Sequence, residues 1–296
     1  MTNNDVAITP AETVVEQPEK KEPIGIFTWI CVAWLAVNIL VAVLASLLPI
    51  PDPNEMFAEG PGMGMSLKHL MGTDGLGRDI FGRLAWGSRI SLGVGVGSMA
   101  IAFGVGGPLG MLAAYRRGKL DMILSSVMFT FLAFPSIIAI IAVLSVWTPR
   151  SLGKIIVVIG ISSIPLVYRV MRAAALSAGS KEYVTAARVQ GAKDRRIIFR
   201  ELLPNVAPTG LSFLLFGVAT VIALEGVLAF LGLSIAPDVA PSWGNMINEA
   251  RQEFNNIPPN WLLIIFPSAI LCLFILALNF VGDRLRSYFD VTEVKL

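Results

Sequence analysis

Long apolar runs broken by short polar segments dominate the chain from residue 26 onward. Crossing a hydrocarbon core takes about 20 helical residues. Six runs reach that length, roughly at 26 to 48, 90 to 114, 122 to 146, 154 to 176, 207 to 233 and 260 to 282. The pattern predicts an all-α polytopic membrane protein with six transmembrane helices. Between the fourth and fifth runs it changes character. Residues from about 180 to 204 mix charges with alanines and a glycine, which predicts a helical hairpin lying outside the membrane.

The first run follows Lys20-Lys21 and has to be weighed against a secretory signal. Its apolar core of about 23 residues exceeds the h-region of a signal. Leu48-Pro49-Ile50-Pro51 stands where a small-x-small cleavage site would be, so a retained span is expected. Three regions follow. Residues 1–23 are polar and rich in Thr, Asn, Glu and Pro, which predicts a disordered cytoplasmic tail. Residues 24–88 hold the first transmembrane helix and a Pro- and Gly-rich extracytoplasmic segment, and residues 89–290 form a five-helix core carrying the hairpin.

Composition agrees with a bilayer location. Hydrophobic residues make up 55% of the chain and charged ones 15%, with a mean hydropathy of +0.71. A net charge of +2 offers no basic excess for nucleic acid, which is not expected as a partner. With both termini inside, the inner segments hold sixteen Lys and Arg and the outer ones seven. That excess places the termini and the hairpin in the cytoplasm. Cys31 and Cys272 lie in apolar runs and read as packing residues, and His69 in the outer segment has no ligand-spaced neighbours, so no metal is expected.

Within the spans, Gly93 with Gly97 and Gly106 with Gly110 are four apart, a spacing that lets helices approach closely. Pro135 and Pro165 are expected to interrupt their spans. Glu225 is the one deep carboxylate. It should face the bundle interior, protonated or paired, in either a structural or a pathway role. Asn38 and Asn279 are expected to hydrogen-bond between helices. Trp261, after Pro258-Pro259-Asn260, is expected at headgroup level.

In the hairpin, Ser180 can cap a helix whose first turn holds Glu182. Tyr183, Ala186, Ala187 and Gln190 then share one narrow face of small and apolar groups. Gly191 suits the turn that follows. Asp194 can cap a second helix running through Arg195, Arg196 and Phe199 to Pro204. Such a knob, on a membrane chain with no nucleotide-binding loop, reads as a docking element through which separate subunits drive half of a transport pore.

Thr185-Ala186-Ala187, Gly191 and Leu203-Pro204, at this spacing, resemble the EAA loop of ABC importer permeases, the helix that fits a groove of the ATPase subunit. Thr185 stands for the family's leading glutamate and Glu201 for a frequent isoleucine, departures that resemble the peptide-transport branch. So do Gly72-Thr73-Asp74-Gly75-Leu76-Gly77-Arg78-Asp79, Arg83, Ser88-Arg89-Ile90-Ser91-Leu92, Phe230-Leu231-Gly232-Leu233, Pro241-Ser242-Trp243-Gly244, Phe266-Pro267 and Asn279 to Arg286. The likeness runs from about residue 26 to 290. The chain looks like the C-type permease of the dipeptide, oligopeptide and nickel importer family.

That resemblance implies the type I importer permease fold and a bacterial inner-membrane location. Its implied partners are a B-type permease forming the other half of the pore, one or two ABC ATPase subunits, an extracytoplasmic substrate-binding protein and membrane lipid. It assigns ATPase coupling to Tyr183, Thr185, Ala186, Ala187, Arg188, Gly191, Arg195, Arg196, Leu203 and Pro204. Glu225, Asn279 and Ser126 are intramembrane polar candidates, and Trp243, Asp74 and Arg78 are candidates for binding-protein contact. Gly118-Lys119-Leu120 and Gly153-Lys154-Ile155 do not make a phosphate loop, so ATP and Mg fall to the partner subunits and no catalytic residue or cofactor is expected in this chain.

The family often carries an arginine and an aspartate where this chain has Ser126 and Phe129, a change that bears on the pathway lining. Asp121, Pro135, Arg169 and Arg172 match. Nickel, glutathione or another small solute is the alternative cargo within the family. An ion-coupled secondary transporter would need more membrane acids than Glu225, and a membrane enzyme would need a convergent catalytic set.

Overall fold

The computed structural model describes residues 25–58, 60–253 and 261–293, with side chains as far as residue 289. The expected N-terminal tail and the Pro258-Pro259-Asn260 segment lie outside the described residues. Among the described residues ten α-helices follow in order: α1 (Ile26–Leu44), α2 (Ile80–Arg116), α3 (Gly118–Ala133), α4 (Ser136–Val146), α5 (Leu152–Gly179), α6 (Glu182–Val189), α7 (Asp194–Arg196), α8 (Leu203–Phe230), α9 (Trp243–Glu253) and α10 (Trp261–Glu293). A π-helical segment, Ile197–Leu202, joins α7 to α8. Among the described residues extended pairing is confined to two isolated antiparallel bridges, Met56 with Arg78 and Thr73 with Asp79.

Five of these helical stretches are long and apolar enough to span a membrane, and α3 with α4 makes a sixth if that pair, bent by 75°, counts as one span. The break falls at Phe134-Pro135, as the proline predicts, because its ring removes a donor and crowds the preceding turn. Pro165 behaves differently. Helix α5 runs unbroken past it, since the turn from Ile164 to Tyr168 is clamped against α2 at Gly106.

Helix α2 starts ten residues before the expected 90. Asp79 caps it, its Oδ1 accepting from the Gly82 N–H at 2.7 Å. The added turns carry Arg83 and Ser88, both buried, so hydropathy alone misses them. At about 1.5 Å per residue, its 37 residues reach about 55 Å.

Glycine sets the packing. A Cβ on Gly106 would lie 2.7 Å from the Ile164 carbonyl oxygen, and one on Gly110 would lie 2.6 Å from that of Tyr168. Gly160 returns the contact, since a Cβ there would lie 3.1 Å from the Ser98 carbonyl oxygen. Helices α2 and α5 therefore meet backbone to backbone, the close approach that lipid-embedded helices use in place of hydrophobic drive. Gly93 does not share this role, having only Leu152 at 3.9 Å. Helix α8 packs on α2 through Gly95 against Ile222 and Gly217 against Met99.

Helix α1 buries Cys31, Leu35, Asn38 and Ala42 against α2 and α10 and leaves Trp29, Ile30, Leu40 and Val43 exposed. Asn38 donates to the carbonyl of Trp34 in its own helix, correcting the expected bond between helices. Cys272 is exposed, so only Cys31 is the packing residue expected of both.

Candidate functional site

The hairpin forms as expected, with its caps placed differently. Lys181, not Ser180, precedes α6, and the Ser180 hydroxyl instead donates to Ser177 O. Glu182 opens the helix and Arg188 closes it, each charge suiting its end of the dipole. Gly191 has φ +77°. Its N–H donates to Arg188 O, and Ala192 N–H donates to Ala187 O, which together make a Schellman stop.

The exposed face is not the one the spacing gives. Val184 is buried and anchors the helix, while Tyr183 and Ala187 turn half inward. Thr185, Ala186, Arg188, Val189, Gln190 and Gly191 face out, as do Arg195 and Arg196. Burying Val184 contributes about 1.5–3 kcal/mol, and it is one residue away from the face expected to be apolar.

Asp194 is the first residue of α7, not its cap. Its Oδ1 accepts from the Tyr115 hydroxyl at 2.7 Å, at the C-terminal end of α2. The Arg188 guanidinium lies over the same ring, 5.6 Å from its centroid. Pro204 does not end the second helix. It sits in the first turn of α8, and helix runs from Asp194 to Phe230. Ahead of Pro204 the ladder widens by one residue, with Leu203 N–H donating to Ile198 O. Leu203 is half-buried and Pro204 exposed.

Glu225 is fully buried near the opposite end of α8. Its Oε1 accepts from Ser234 at 2.7 Å and Ser242 at 2.8 Å. Ser242 also caps α9, accepting from the Asn245 N–H. Gly244 sits against Gly226, close enough that an added Cβ would lie 2.7 Å from its Cα. The carboxylate thus faces the interior, as expected, and fastens the loop after α8.

Trp243, Asp74 and Arg78 are not available at the surface, which corrects their assignment as contact residues. Trp243 is buried, donating through Nε1 to Leu84 O and lying edge-on to Phe274. Asp74 Oδ2 accepts from Arg78 Nε at 2.6 Å and Arg83 Nη1 at 2.8 Å. Both arginines also reach Glu249 on α9, at 3.0 and 2.7 Å. Glu253 accepts from the Gly75 N–H, and its carboxyl is held above the usual range by burial first, then by the charges of Asp74 and Glu249. His69 lies 2.9 Å from Asp79 and edge-on to Phe57. These contacts join Phe57, residues 60–79 and α9 into one cap at the α9 end of the bundle.

Ser126 is exposed on α3, while its neighbour Ser125 is buried beside Tyr168 at 2.9 Å. Arg172 holds Asp121 through two bonds, 2.5 and 2.6 Å, joining α3 to α5. Asn279 is half-buried, its Oδ1 without a partner among the described residues. Trp261 is exposed at the start of α10. The sequence reading missed Tyr115, Glu249 and the serines around Glu225. Their partners lie from 9 to 171 residues away, and only an unexplained charge in an apolar stretch could have flagged them.

A family model described as "Binding-protein-dependent transport system inner membrane component" matches residues 106–291. Dipeptide transport system permease protein DppC of Alkalihalophilus pseudofirmus is 36% identical over 252 residues, 85% of this chain and 81% of that protein. Glutathione transport system permease protein GsiD of Pectobacterium atrosepticum is 35% identical over 261 residues, 87% and 85% of the two chains. Among solved structures, an inward-facing MetNI methionine ABC transporter aligns with a TM-score of 0.59 and 20% identity, covering 76% of this chain and 99% of that one.

Proposed function

The chain belongs to the family of binding-protein-dependent transport system inner membrane components, and on that premise we propose that it is the C-type permease of an ATP-driven peptide importer. As a multi-pass membrane permease of this family it works with another permease and with ATPase subunits. The finer assignments are these. The partner permease is of the B type, one or two ABC ATPases bind inside, and an extracytoplasmic binding protein delivers substrate. Both termini are cytoplasmic in the bacterial inner membrane, and ATP hydrolysis belongs to the partner chains.

The exposed face of α6 carries this reading. Thr185, Ala186, Arg188, Gln190 and Gly191 stand clear of the bundle on a helix anchored from behind by Val184. Small residues and a glycine stop let a groove close around the helix, and Arg195 and Arg196 stand exposed to meet acids beside it. Closure of the ATPases would move this knob and bias the spans between inward and outward openings.

The test is to co-purify the tagged chain with the products of its neighbouring genes and measure ATP hydrolysis in lipid with a binding protein, with and without dipeptides. Peptide-stimulated hydrolysis is the expected result. Stimulation by glutathione alone would move the cargo to that relative's solute, and absence of an associated ATPase would overturn the reading.

A further inference from the structure

We propose that Tyr115 is a positioning residue that yokes the inner end of α2 to the coupling hairpin, so that movement of the hairpin reaches the α2–α5 pair. The inference rests on the transport reading above and adds the route by which force leaves the hairpin.

Two contacts from different arms of the hairpin converge on this one side chain. The hydroxyl donates a hydrogen bond to Asp194 at the start of α7, and Arg188 at the end of α6 lies over the ring. The turn at Gly191 lies between them, so the ring ties both arms to α2. The chain itself joins the hairpin only to α5, through Ser180-Lys181, and to α8, through the π-helical segment. No covalent link leads to α2.

The link to α8 and the route through Tyr115 differ in stiffness. A π-helical segment breaks the regular ladder and is a place where helices bend. The route through Tyr115 enters α2 just beyond Gly110, where α2 meets the α5 backbone directly. That contact leaves no flexible side chains between the two helices. At its far end α2 carries Arg83 into the buried cluster with Asp74 and Glu249. A displacement delivered at Tyr115 therefore meets the α5 backbone at Gly110 before the helix passes Pro108, and helix α2 then runs on to Arg83.

The full assembly in lipid tests this through the number of peptides taken up per ATP hydrolysed. Tyr115→Phe keeps the ring beneath Arg188 and loses only the hydroxyl. It should lower the ratio about three- to tenfold, as should Asp194→Ala. The double variant should fall no further than either single one, since both remove the same contact. Asp194→Asn retains an acceptor oxygen and should restore most of the ratio. A merely structural contact would change the unfolding midpoint and leave the ratio alone. An unaltered ratio in Tyr115→Phe, or independent losses in the double variant, would overturn the yoke while wild-type uptake leaves the transport reading standing. Absence of ATP-driven uptake in the wild type would overturn both.

Discussion

Gly191 and Glu225 show how a single residue can serve opposite ends of one bundle. At φ +77° an L side chain costs about 1–2 kcal/mol, and more when β-branched. A Cβ there meets no atom within 4 Å, so the cost of Gly191→Val is backbone strain at the hairpin stop and not a clash. The variant should assemble with its partners yet import fewer peptides per ATP, with Gly191→Asn milder. Equal uptake in cells would dismiss the argument. Glu225→Ala strands the hydroxyls of Ser234 and Ser242, at about 1–3 kcal/mol each. Glu225→Gln keeps an acceptor oxygen. The unfolding midpoint of the purified chain should fall by several degrees for alanine and less for glutamine, and equal falls would show that the acceptor is not what matters.

At the scale of the element, α2 against α5 is decided by backbone proximity. Gly110→Leu would put a Cβ 2.6 Å from Tyr168 O, where only movement of the helix axis makes room. Overpacking of this kind costs about 1–3 kcal/mol or more. Gly104, on the same helix, has nothing within 4 Å. Gly104→Ala should hold or raise stability, because alanine favours helix over glycine by about 1 kcal/mol. Thermal unfolding of the two variants in one detergent checks the contrast, and similar midpoints would mean that the close approach is not essential to the pair.

For the whole molecule, the cap is a largely buried cluster of charges held between the loop before α2 and the helix after α8. Asp74, Glu249 and Glu253 face Arg78 and Arg83, leaving one acid in excess. Glu253 carries the strain, its carboxyl raised above the ordinary 4.5 by burial, then by Asp74 and Glu249. A raised folded-state value means that folding favours the protonated form. Its contribution is fully present below the ordinary value and is lost as pH rises through the folded one. Glu253→Gln can still accept from Gly75 and removes the charge. The variant should unfold at a higher temperature than the wild type at pH 8, with the difference closing in acid. A difference independent of pH would place the effect outside the titration of this carboxyl.

The number of spans, the break at Pro135, the hairpin and its glycine stop were legible in the sequence because each depends on local order: run length, a missing N–H, a left-handed turn. So was the inward burial of Glu225, since lipid leaves a carboxylate nowhere else to go. Which face of α6 points outward was not legible, because it depends on where Val184 finds its pocket. Nor was the burial of Asp74, Arg78 and Trp243, whose polar or amphipathic chemistry reads as surface until α9 docks, bringing Glu249 to the arginines and Trp243 to Leu84 and Phe274. The early start of α2, the straight course of α5 past Pro165 and the meeting of Tyr115 with Asp194 were likewise settled only by tertiary structure. In each case the deciding partner is distant in sequence, and the close packing of the bundle brings it near.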